Sequence, residues 1–142
     1  MFDRNGMNRF TFQADEMRTH SSGTHTFLVP IGIRDSQELF AAFADALSFP
    51  EYFGQNWDAL EECLGDLAWI PERTVSIVHG DIPMRMEASQ CRIYLSILAD
   101  VADVQRHALE GRDETSDESS QLAHRYEIVF PSRSRPDLER LV

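Results

Sequence analysis

Three short apolar runs, Thr26–Val29, Thr74–Val78 and Tyr126–Phe130, are separated from one another by stretches of helical periodicity. Pro30, Ile82-Pro83 and Pro131 mark where each run stops. Strands divided by helices have too much intervening chain for hairpins, so they pair in parallel through right-handed crossovers. The expected architecture is a small α/β layer fold: a three-stranded parallel sheet with packed helices. A length of 142 residues, 42% of them hydrophobic, suits one such domain with a modest core.

Ahead of the first run, Arg9-Phe-Thr-Phe-Gln13 alternates and Thr19-His-Ser-Ser-Gly-Thr24 is polar. Residues 1–23 therefore read as an N-terminal extension and linker with room for one strand, and the domain as residues 24–142. Asp35 followed by Glu38 resembles a capping box and opens a helix with Leu39, Phe40, Phe43 and Leu47 on one face. Ser48-Phe-Pro50 ends it, because a residue before proline avoids helical geometry. A second helix over 57–65 takes Asn56 as its cap and Gly65 as its stop, with Trp57, Leu60 and Leu64 turned inward.

From about Ser89 a longer helix carries Cys91, Tyr94, Leu98, Val101, Val104 and Ala108 on one stripe, with Arg92, Ser96, Asp100 and Asp103 largely off it. Residues 110–120 contain five acids and no apolar side chain, the composition of a mobile acidic loop. The tail from Pro136 has room for a turn or more of helix.

Thirteen basic residues, all of them Arg, oppose twenty-four acids, for a net charge of −11. Such a surface repels phosphate backbones, which disfavours direct nucleic-acid binding, and it draws in basic partners. No run approaches the length of a membrane span and the start lacks a secretory pattern, so a soluble, untargeted cytoplasmic protein is expected. Cys63 and Cys91 are isolated, and His20, His25, His79, His107 and His124 are far apart. Neither set has metal-ligand spacing, so no metal or cofactor is expected, and the thiols read as reduced core groups. Met84 and Met86 read as gap-fillers at the entrance to the long helix. The glycines form no phosphate-binding loop.

The informative cluster is Asp58, Glu61 and Glu62, which stand at i, i+3 and i+4 and project from one face of the second helix. The helix contains no Lys or Arg to neutralise them, and like charges at this spacing cost a few tenths of a kcal/mol per pair. Three readings fit: a solvated face, a recognition face for a basic partner, or an acid/base pair of an enzyme. The last requires a concave site flanking a substrate, whereas neighbours on one short helix share a convex surface.

The segment Phe49-Pro-Glu-Tyr-Phe-Gly-Gln-Asn-Trp-Asp-Ala-Leu-Glu-Glu-Cys-Leu-Gly65 closely resembles the barstar family. In that family a proline, an aromatic pair, a glycine and an asparagine lead into Asp-Ala-Leu, then an acid, Cys and Leu. Element order extends the resemblance over roughly 24–130. It implies a barstar-like fold and a non-enzymatic inhibitor that caps a ribonuclease active site with this helix and its preceding loop, as a monomer in a 1:1 complex. The partner implied is an extracellular-type or toxin ribonuclease with a basic active site, and the protein is its antidote.

By the same resemblance Tyr52 packs across the enzyme rim, Asp58 meets active-site Arg or Lys, and Glu62 takes the central acidic position, with Gly54 and Asn56 in the contacting loop. Asp100 aligns with a peripheral contact. The chain departs from the family at three places: Glu62 stands for Asp, Glu61 for Trp, and Trp57 for an aliphatic residue. These departures leave open an immunity or regulatory protein for a different basic toxin.

Overall fold

The computed structural model describes residues 10–13, 23–51, 53–110 and 124–141. His20, Tyr52 and the acidic stretch after residue 110 lie outside them. The element order is β1 (Thr11–Gln13), β2 (Thr24–Val29), α1 (Ser36–Ala46), α2 (Trp57–Asp66), β3 (Thr74–His79), α3 (Ala88–Glu110) and β4 (Arg125–Pro131), followed by a 3-10 turn (Ser132–Ser134) and α4 (Arg135–Leu141). The mixed α/β class expected from the sequence holds.

The sheet is parallel throughout, in the order β1-β4-β3-β2, and it has four strands where three were expected. The extra strand is the alternating patch near the start, which pairs Thr11 with Val129 and Phe12 with Phe130. Aromatic burial holds it there: Phe10 meets Phe130 edge-on at 5.5 Å, and the Arg135 guanidinium lies 5.2 Å over the Phe12 ring. β2 starts two residues before its apolar run because pairing with β3 begins at Thr24 and Thr74.

Alternation along the strands sends Phe27, Val29, Ile77, His79 and Phe130 to one face. α1 packs there through Phe43, whose ring meets Phe27 at 4.8 Å, and α3 through Tyr94, 5.9 Å from Phe43. The α1 cap forms as expected, with the Glu38 N–H donating to Asp35 Oδ1 at 2.9 Å. Its return bond shifts by one residue, since Glu38 Oε1 accepts from the Arg34 N–H at 2.8 Å. That bond and the Arg34 guanidinium hold the Glu38 carboxyl below its usual range.

Four expectations are corrected by tertiary packing. α2 runs past Gly65 and stops at Leu67, a non-glycine residue in the left-handed region (φ 42°). Leu67 is fully buried. Complete burial of a leucine stabilises by about 1.5–3 kcal/mol, which offsets a left-handed cost of roughly 1–2 kcal/mol. On α3, Val104 and Ala108 are exposed while Gln105 is buried, because the helix outruns the sheet and its inward stripe ends in a polar contact. Glu110 belongs to α3 and not to a loop. Of the two methionines Met84 is buried, whereas Met86 is 95% exposed and fills no gap.

One polar line crosses the core. His79 Nδ1–H donates to the Val129 carbonyl at 2.9 Å, its Nε2 accepts the Tyr94 hydroxyl at 2.6 Å, and its ring stacks on Phe130 at 4.0 Å. β3, β4 and α3 are joined at this imidazole. Burial pushes its pKa down from 6.5 to about 4 and raises that of the Tyr94 hydroxyl, so both remain neutral and fully bonded.

Because the native pKa is depressed, the unfolded chain takes up a proton that native His79 refuses. Its stabilising contribution is complete above pH 6.5 and is lost as the pH falls toward 4, at up to about 1.4 kcal/mol per pH unit. Denaturant titrations of wild type and His79→Leu from pH 7.5 to 4 should show a shallower loss in the variant. Parallel curves would place the titration elsewhere.

Cys63 and Cys91 are both free and buried. Burial raises the Cys91 thiol to about 11, and burial with Asp66 and Glu62 nearby raises that of Cys63. Thiol titration should therefore be slow for both in the native protein and fast in denaturant. Rapid native labelling of Cys63 would contradict the orientation of α2.

Candidate protein-binding site

α2 is set at its N-terminus by Asn56. The Asn56 backbone is extended, its Oδ1 accepts the Ala59 N–H at 2.8 Å, and its Nδ2 donates to the Gly54 carbonyl at 3.4 Å. A Cβ on Gly54 would sit 3.1 Å from that Nδ2, so glycine keeps the loop tight. Gly54 and Asn56 thus shape the loop leading into the helix. Tyr52 lies outside the described residues.

The helix is fixed in rotation by what it buries. Leu60, Cys63 and Leu64 are inside, and Trp57 packs edge-on against Phe40 at 4.9 Å while its Nε1–H donates to Gln90 Oε1 of α3 at 3.0 Å. With that stripe inward, Asp58, Glu61 and Glu62 are exposed. They do not form one cluster. Asp58 and Glu61 line a groove toward α3, and Glu62 lines a separate depression with Phe53, Ala59, Cys63 and Asp66. Glu61 and Glu62 are adjacent in sequence, about 100° apart around the axis, and so line different depressions, with Asp58 between them in angle.

The groove brings in Asp100 from α3. It also contains residues that sequence reasoning missed: Ile93 and Ile97 on its apolar wall, and Arg92 and Arg140 on its rim. Arg140 arrives on α4, whose docking no local pattern announces. Asp66 was missed too, although its position four residues after Glu62 was a readable signal.

Among the described residues, each of the other helices carries an ion pair and α2 carries none. Arg34–Glu38 at α1, Arg106–Asp103 on α3, and Arg135–Glu139 and Arg140–Asp137 on α4 are ion pairs of 2.7–3.2 Å. Among the described residues none of Asp58, Glu61, Glu62, Asp66 or Asp100 has an ion-pair partner. Each offers free carboxylate oxygens suited to a guanidinium or ammonium group.

No set of three or more His, Cys, Asp or Glu among the described residues is placed to hold a metal ion. His25, His79 and His124 have hydrogen-bond partners inside the protein, and His107 is exposed. No helix among the described residues is long and apolar enough to cross a membrane.

Comparison with curated proteins and with solved structures gives no match. Comparison with family models matches residues 27–118 to the family described as Barstar (barnase inhibitor), a span that runs from β2 through α3 with the acidic helix inside it. That match covers well over half of the chain, and the chain belongs to the barstar family.

Proposed function

We propose that this protein is a stoichiometric inhibitor of a basic ribonuclease, a cytoplasmic antidote that covers the enzyme's active site with the outer face of α2. The observation that carries the reading is that the four carboxylates of α2, Asp58, Glu61, Glu62 and Asp66, are exposed and have no ion-pair partner among the described residues, in a chain whose family inhibits ribonucleases. Leaving like charges unpaired costs a few tenths of a kcal/mol per neighbouring pair, and a cationic partner recovers it. In this reading Asp58 and Glu62 meet active-site cations, Tyr52 packs on the enzyme rim, Gly54 and Asn56 present the loop, and Asp100 makes a peripheral contact. The net charge of −11 steers the encounter.

A second target class draws support from the groove. Arg92 and Arg140 stand on the same rim as Asp58 and Glu61, so the matching surface on that flank is of mixed sign. An immunity or regulatory protein for a different basic toxin would use the same helix with this altered flank.

The purified chain should hydrolyse neither RNA, DNA nor simple esters. A reproducible turnover abolished in Asp58→Ala would move the protein to the enzyme reading. In the complex, Glu62→Ala should weaken binding far more than Glu61→Ala. Truncating a desolvated charge at an interface centre costs about 2 kcal/mol or more, roughly thirtyfold in affinity. Glu61, on the other flank, should act mainly through steering, with slower association that fades as salt rises. Stopped-flow kinetics at two ionic strengths distinguish them, and equal effects would mean that Glu62 is not central.

A further inference from the structure

The C-terminal end of α2 is held by side chains from two other elements. The last carbonyls of any helix lack partners within it. Here Tyr126 donates its hydroxyl to the Leu64 carbonyl, Gln105 Nε2 donates to Gly65 O at 3.2 Å, and His124 Nε2 lies 2.9 Å from Leu67 O. Gln105 and His124 are also linked to each other. Gln105 Oε1 accepts the His124 backbone N–H at 2.9 Å, and His124 Nδ1 lies 2.8 Å from the Glu72 carbonyl.

This end of the helix is where its own sequence is weakest. Glu62 and Asp66 stand near a terminus that carries partial negative charge, and the last turn holds no basic residue to offset them. The carboxylates that suit the helix for a cationic partner are those that loosen its C-terminus. Donors from α3 and β4 compensate for that locally.

We propose that Gln105, His124 and Tyr126 form a positioning latch that sets the angle of α2 and so places Glu62 and Asp66 for the partner. The inference rests on the reading of α2 as the binding face. None of the three residues touches that face. His124 and Tyr126 also lie beyond the stretch matched to the family. A ten-residue helix is about 15 Å long, so releasing one end through a few degrees displaces it by about 1 Å, enough to spoil a bidentate contact. The N-terminal end, tied by Trp57 to Gln90, serves as the pivot. Burial keeps the Tyr126 hydroxyl protonated and able to donate.

The test uses the full chain with Tyr126→Phe and Gln105→Met, and Ile77→Val as a control that lowers stability in the core of β3. Amide hydrogen exchange and the dissociation rate from barnase-type ribonucleases are measured together. In both latch variants the amides of residues 64–67 should exchange about tenfold faster while those of β3 keep their rates. Dissociation should quicken about tenfold with association unchanged, and Ile77→Val should leave dissociation as in wild type. Unchanged exchange at 64–67 would overturn the latch. Faster exchange with unchanged dissociation, or equal acceleration by Ile77→Val, would overturn its positioning role. If wild type binds no ribonuclease, the inhibitor reading and the positioning role fail together, and the exchange measurements alone decide whether the latch exists.

Discussion

The burial of Leu60, Cys63 and Leu64 along one side of α2 decides what the rest of the molecule presents. Two fully buried leucines contribute about 1.5–3 kcal/mol each, several times the few tenths lost to each pair of like charges on the opposite side. The apolar stripe therefore fixes the rotation of α2, and the unpaired carboxylates follow. Rotating the helix by one residue, about 100°, would bring an acid into the apolar core and expose a leucine, so the acidic face is as well defined as the core beneath it.

That core is anchored by a polar centre. The His79 imidazole joins Val129 on β4 to Tyr94 on α3, and Tyr94 also lies in the aromatic cluster under α1 and α2. A buried network with every member bonded is unforgiving: losing one partner orphans another at about 1–3 kcal/mol. The same tyrosine that satisfies His79 thereby fixes where α3 stands relative to α2. The separation of Asp58 and Glu61 from Asp100, and the width of the groove they share, depend on that placement.

Local chemistry made much of this legible. The caps at Asp35 and Asn56, the three core strands and the inward stripe of α2 each follow from spacing that few alternative structures satisfy. What escaped was decided at a distance. Leu67 ends α2 with its side chain buried in the core, and no rule about glycine can show that. Val104 is exposed because α3 is longer than the sheet it covers. The strand at Thr11 is recognisable only once β4 offers an edge. At the site, spacing identified the acids but not their division into two flanks, which appears when α3 and α4 close one side of the helix with Ile93, Ile97 and Arg140.

The account's central claim is that Asp58 and Glu62 on α2 meet the cationic centre of a ribonuclease. Titrating the full chain against the activity of a panel of small basic ribonucleases, barnase among them, tests it most directly. The account predicts that at least one enzyme is silenced at a one-to-one endpoint, and that the double variant Asp58→Asn, Glu62→Gln, folded as wild type, loses that inhibition. An entire panel left active by wild type, or inhibition that survives the double substitution, would contradict it.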